Sequence, residues 1–183
     1  MSAYSRWPAD DFEVWESLQL FDFPQTIKTS SARTLETGLP VSALLIGAKK
    51  HRKAVGVLTR VGRQWEVRIR AVGKTWFSGE TTTPHRGVII PAEAVVEYRS
   101  GVDFGGDGHP LDVSLSQAIA VTARERPAVR ITSTQGSRDG IIRAVGTDYV
   151  SVSRRSLEGR DSIFTVPFSQ LVAVEFLEPG DIS

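Results

Sequence analysis

The residues with the most obvious chemical potential in this chain are cations. Lys49-Lys50-His51-Arg52-Lys53 is a short basic run, followed by Arg60, Arg63, Arg68, Arg70 and Lys74, with Trp65 and Trp76 interleaved. Residues 47 to 77 hold nine Lys or Arg against the single acid Glu66. Cations at this density neutralise phosphates, and aromatic faces stack bases for roughly 1–3 kcal/mol each. The candidate nucleic-acid contacts are therefore Lys49, Lys50, Arg52, Lys53, Arg60, Arg63, Arg68, Arg70, Lys74 and Trp76. The alternative is a solvated hairpin loop with Trp65 turned into a core. The whole chain carries a net charge of only +1, so any such surface is local.

Other chemistry is poorly supplied. The chain has no cysteine, which removes disulfides and thiolate metal sites. His51, His85 and His109 are far apart and lack the i, i+4 spacing of a helical zinc site. Asp103-Phe-Gly-Gly-Asp-Gly-His109 has neither the alternating acids nor the closing Glu of a calcium loop, and reads as a flexible linker. No nucleophile elbow, P-loop or dinucleotide fingerprint occurs. The expectation is a protein with no metal or cofactor that is not an enzyme.

A second candidate surface lies at the N-terminus. Residues 1 to 25 hold five acids against Arg6 alone, and Trp7, Phe12, Trp15, Leu18 and Leu20 suggest an amphipathic helix over residues 10–20. Trp7 and Trp15 are candidate partner-binding anchors, either on the chain's own basic face or on another protein. The same helix could instead complete the hydrophobic core. The polar, acidic start does not read as a signal peptide, and no apolar run approaches the roughly 20 residues that span a bilayer. A soluble, cytoplasmic protein without a membrane partner is expected.

The elements that would position these residues follow from an internal repeat. Gly56-Val-Leu-Thr-Arg-Val-Gly-Arg-Gln-Trp65 parallels Gly140-Ile-Ile-Arg-Ala-Val-Gly-Thr-Asp-Tyr149. Ile89-Ile90-Pro91 and Val95-Val96-Glu97-Tyr98 likewise parallel Thr165-Val166-Pro167 and Ala173-Val174-Glu175-Phe176. A β-rich run precedes each copy, residues 41–46 and 129–132. Each copy then reads as five short strands with a tight glycine turn and a proline corner, which favours a small barrel. Residues 100–110 read as a linker, and residues 114–126 as a helix opened by a Ser114/Gln117 capping box and ended by Pro127. Leu115, Ala118, Ile119 and Thr122 fall on one face of it.

A helix followed by Val129-Arg-Ile-Thr, the Gly140 block and Val166-Pro-Phe-Ser-Gln-Leu-Val-Ala-Val resembles an Sm-like (LSm) domain, as in uncharacterised actinobacterial proteins that carry such barrels. The resemblance covers about residues 111–176, and residues 41–98 more weakly. It implies RNA binding and ring assembly. The base-contacting Asn that it implies after the turn is replaced by Tyr149-Val-Ser-Val, and an acid, Glu175, stands where it implies a basic residue. The expected fold is mainly β: two tandem five-stranded Sm/SH3-like barrels with short helices before each. The boundaries are an acidic segment at 1–36, a basic barrel at 37–100, a Gly-rich linker at 101–112, and helix plus second barrel at 113–178. The expected function is non-catalytic binding, of RNA or another nucleic acid through the first barrel. The alternative is a protein–protein adaptor, self-association included, that uses barrel edges or the acidic segment.

Overall fold

The computed structural model describes residues 40–100, 107–125, 128–155 and 161–177. Trp7, Trp15, the expected helix over 10–20 and the Asp103 to Gly106 part of the linker lie outside them.

The first described element corrects an expectation. Val41–Lys50 (α1) is a helix and not a strand. An apolar run this short cannot be assigned by hydrophobicity alone, and Leu44, Leu45 and Ala48 are buried at helical spacing. Lys49 and Lys50 belong to its last turn, where cations suit the partial negative charge of a helix C-terminus. The end is closed by a Schellman motif: the Lys53 amide donates to the Ala48 carbonyl and the Arg52 amide to that of Lys49, with Arg52 in the left-handed region at φ 53°. The basic run is thus a helix cap and not a hairpin turn.

Among the described residues, ten antiparallel strands follow. They are β1 (Ala54–Thr59), β2 (Gln64–Val72), β3 (Trp76–Thr81), β4 (Gly87–Pro91), β5 (Val95–Arg99), β6 (Ala128–Ser133), β7 (Gly136–Val145), β8 (Tyr149–Arg155), β9 (Asp161–Pro167) and β10 (Leu171–Phe176). The second helix, α2 (Leu115–Thr122), precedes β6 and carries the expected capping box, with Leu115, Ala118 and Ile119 buried. Strand β2 shows the governing pattern most clearly, its residues alternating exposed and buried until both faces are covered at Ala71 and Val72.

All ten strands belong to one sheet, in the order β5-β1-β2-β3-β4-β10-β6-β7-β8-β9. The expected pair of closed barrels is therefore replaced by an open sheet. The hydrogen-bond ladder passes from β4 to β10 and does not turn back from β4 to β5. The first half is nevertheless strongly curled. Phe77 on β3 and Tyr98 on β5 lie three strand spacings apart, roughly 14 Å in a flat sheet, yet their ring centroids are 6.0 Å apart. Leu45, Val57, Val67, Phe77 and Ile90 fill the inside of that curl, and Val172 and Ala173 of β10 join the same cluster.

The repeat is present, but one strand away from the alignment expected. Ile69-Arg-Ala-Val-Gly-Lys-Thr-Trp76 matches Ile142-Arg-Ala-Val-Gly-Thr-Asp-Tyr149. Both blocks bulge after the Ile, and both turns close by a glycine amide donating to the carbonyl of the aromatic residue, at 2.8 Å for Gly73 and 2.9 Å for Gly146. A side chain at either glycine would run into the Trp76 or Tyr149 ring. Trp76, not Trp65, is the counterpart of Tyr149. The Ile89-Ile90-Pro91 echo holds, each proline leading into a one-turn 3-10 helix. The next echo is shifted by two residues, since ladder positions equate Val95 with Leu171 and Tyr98 with Val174. Glycine followed by aliphatics recurs on several strands of such a repeat, so that pattern alone cannot set register.

One contact shows how deep the equivalence runs. Gly79 on β3 faces Val67 on β2, and Gly140 on β7 faces Val152 on β8, so the glycine has changed strands between the halves. A methyl group at either would strike the carbonyl oxygen across the ladder, that of Arg68 or Ser153. Gly79→Ala and Gly140→Ala are each expected to destabilise by about 1–3 kcal/mol. Arg52→Gly, which relieves the left-handed cap, is expected to stabilise by about 1 kcal/mol. Urea denaturation midpoints check all three signs.

Candidate functional site

The structure divides the basic candidates into two groups. Arg60, Arg63, Arg70, Lys74 and Trp76 are already engaged. Arg60 Nη2 donates to the carbonyls of Ser169 at 2.7 Å and Leu171 at 3.1 Å, from the β1–β2 turn across to the second half. Arg63 stacks over Trp65 at 4.7 Å, donates to Thr132 Oγ1 at 3.1 Å, and pairs with Glu175 at 2.8 Å. Arg70 pairs with Glu80 at 3.1 Å, and Lys74 Nζ lies 2.6 Å from Asp112 Oδ1.

Trp76 is 1 % exposed, so its ring is not offered to a base. Residues 111–113 cover it: the Leu111 amide donates to the Val72 carbonyl, Gly73 and Leu111 form a parallel bridge, and Trp76 Nε1 donates to the Val113 carbonyl at 2.8 Å. Trp65 is buried, in accord with its core reading.

The second group remains at the surface. Lys50, Arg52, Lys53 and Arg68 are exposed and have no ion pair among the described residues. Arg68 on β2 lies opposite Ala54, next in sequence to Lys53, so the helix cap and the outer face of β2 share one corner. Lys49 is half-buried and engaged.

The ionic centre of the described residues is one that the sequence pattern did not nominate. Glu175 on β10 is 2 % exposed, between Arg63 of the first half, Arg86 at 4.0 Å and the charge of Arg130. Arg63 Nη2 donates to its Oε2 at 3.0 Å, whereas Oε1 is close to Nη1 but off the hydrogen-bonding direction. Burial pushes the Glu175 carboxyl above the usual carboxylate range, and the three guanidinium charges oppose this only in part. The available signal was a lone acid inside the otherwise apolar Leu171–Phe176 run. Asp139 has the opposite balance: its bonds from Arg130 at 2.7 and 2.8 Å hold it below that range.

Two further features are chemically plain. Among the described residues, strand β5 at one end of the sheet and β9 at the other each leave one ladder side unpaired. Val96 on β5 is 63 % exposed and Ile163 on β9 is 67 % exposed, the highest values for large apolar residues among those described. Unpaired backbone beside exposed aliphatics favours strand addition.

No protein-family model, curated protein or solved structure matches this chain. The surfaces therefore have to speak through their own chemistry. Among the described residues no three His, Cys, Asp or Glu side chains gather as a metal site, and no helix is long and apolar enough to cross a membrane.

The Glu175 environment makes a pH prediction. A carboxyl raised by folding costs stability where it must ionise, and that cost disappears as the pH falls through the raised value towards the unfolded one. Wild-type stability relative to Glu175→Gln is therefore expected to improve from about pH 8 to about pH 5. Chemical denaturation at both values checks this, and the opposite trend would show that the arginines outweigh burial.

Proposed function

We propose that this chain is a non-catalytic binding protein that engages a partner by strand addition at the open edges of its sheet. The observation that carries this reading is the coincidence of unpaired ladder edges with the exposed Val96 and Ile163. Soluble proteins usually protect such edges with charges, prolines or cover, and an edge left apolar favours a β-strand partner. Strand β5 has the Glu97–Arg99 ion pair at 2.6 Å on its surface, but Val96 beside it is bare.

Kinship of each half with Sm/SH3-like small barrels belongs to the same proposal. It is supported by two equivalent five-stranded units, each with a helix ahead of it and a fifth strand folded back beside the first.

A second reading, nucleic-acid binding, is favoured by the corner of Lys50, Arg52, Lys53 and Arg68. Four phosphate contacts to a single strand would give a slope of about −3 in log K against log salt. That surface is narrower than the sequence implied, because Arg60, Arg63, Arg70 and Lys74 are paired and Trp76 is buried.

Pull-downs of the tagged full chain from native extract, with and without nuclease, separate the two. Under the edge reading, Val96→Lys with Ile163→Lys removes at least nine-tenths of the bound partner. Charge reversal at Lys50, Arg52, Lys53 and Arg68, or nuclease, leaves it in place. The reverse pattern would hand the function to the basic corner.

A further inference from the structure

We infer that the cleft between α2 and β7 is a docking site for an extended segment of a partner protein. That segment presents a bulky aliphatic side chain with an acid just ahead of it. The site is separate from the strand edges and does not depend on them.

The first half shows how such a cleft is filled. Both helices start thirteen residues before the strand that follows, Val41 before Ala54 and Leu115 before Ala128. Leu44 and Leu45 therefore match Ala118 and Ile119, and all four are buried. By the same alignment Ile46 matches Ala120, Lys49 matches Ala123 and Lys50 matches Arg124. Ile46 packs on the core of the first half, and residues 108–113 pass over it to Trp76. Gly108 lies so close that a Cβ there would come within 2.8 Å of Ile46 Cγ2. Beneath this cover Ala71 and Val72 are buried.

The second half has the same cleft without the filling. Ala120 and Ala123 stand in the places of Ile46 and Lys49, Ala144 is exposed, and Val145 is half-buried. A cleft of about 320 Å³ opens between them. Beside it Tyr149 is 38 % exposed, where its equivalent Trp76 is covered.

The differences between the halves define the occupant. The side chain missing at Ala120 leaves room for one on the incoming segment, at the place Gly108 holds in the first half. Burying a Leu there is worth about tenfold or more in affinity. Arg124 and Arg143 line the cleft and no acid among the described residues does, which favours an acid ahead of the anchor. At the other end the preference reverses. Lys74, the partner of Asp112, matches Thr147, and Asp148 follows it, so an acid is disfavoured there. The Val145 carbonyl and Gly146 stand where Val72 and Gly73 hold Leu111. The Tyr149 hydroxyl replaces Trp76 Nε1 as the donor to the segment's backbone. Such main-chain contacts hold an extended peptide, and the pocket selects its side chain.

The probe is a synthetic peptide copying residues 107–114 with Gly108→Leu and Asp112→Ser, titrated into the isotope-labelled full chain. Saturable amide shifts at Ala120, Ala144, Gly146 and Tyr149 are the expected result. The same peptide with Gly108 kept should bind the unmodified chain about tenfold more weakly. Ala120→Ile, which restores the first-half filling at an exposed position, should weaken the Leu peptide to the same degree. Arg124→Glu should weaken it about threefold, and Val96→Lys with Ile163→Lys should leave it unchanged. Four results would each overturn the inference: no saturable shift at those amides at about 1 mM peptide, equal affinity of the two peptides, full affinity in Ala120→Ile, or loss of binding in the edge variant.

Discussion

The pairing of β4 with β10 is the constraint from which the rest of this molecule follows. It converts two five-stranded units into one sheet and brings Val172 and Ala173 into the core of the first half. It also sets Glu175 against Arg63 and Arg86, and the Arg60 bonds to Ser169 and Leu171 brace the same seam. A buried carboxylate is expensive unless cations and hydrogen bonds compensate it, and removing one partner from such a group typically costs about 3–5 kcal/mol. The seam is therefore specified as well as apolar: a slipped register would strand the charge.

That seam also decides which surfaces are left for function. Arg60 and Arg63, which look in the sequence like part of a phosphate-binding stripe, are consumed in holding the halves together. Trp76 is consumed by the connection between them, which passes over its ring on the way to α2. Of the basic candidates among the described residues, the cap of α1 and Arg68 remain outside, beside the two strand edges.

Much of this was legible in the sequence. The β class, the duplication, the capped helix before β6, the proline corners and the burial of Trp65 all follow from local patterns that the structure keeps. The register of the repeat was not, because Gly-aliphatic-aliphatic at Gly56 and at Gly140 is a strand-level pattern shared by non-equivalent strands. The identical Ile-Arg-Ala-Val-Gly at Ile69 and Ile142 carries the true alignment. Reading residues 41–46 as a strand came from the same shift, which also hid β3. The roles of Arg63 and Glu175 could not be read from spacing, since they are 112 residues apart and meet only across the seam.

The account is tested most directly at that seam, by backbone nuclear Overhauser contacts in the isotope-labelled full chain. Cross-strand contacts between Val174 and Ile89 and between Glu175 and Val88, with slow exchange of the β4 amides, are the expected result. Absence of these contacts, with β4 amides exchanging as fast as those of a free edge, would mean that the two halves are separate units and would contradict it.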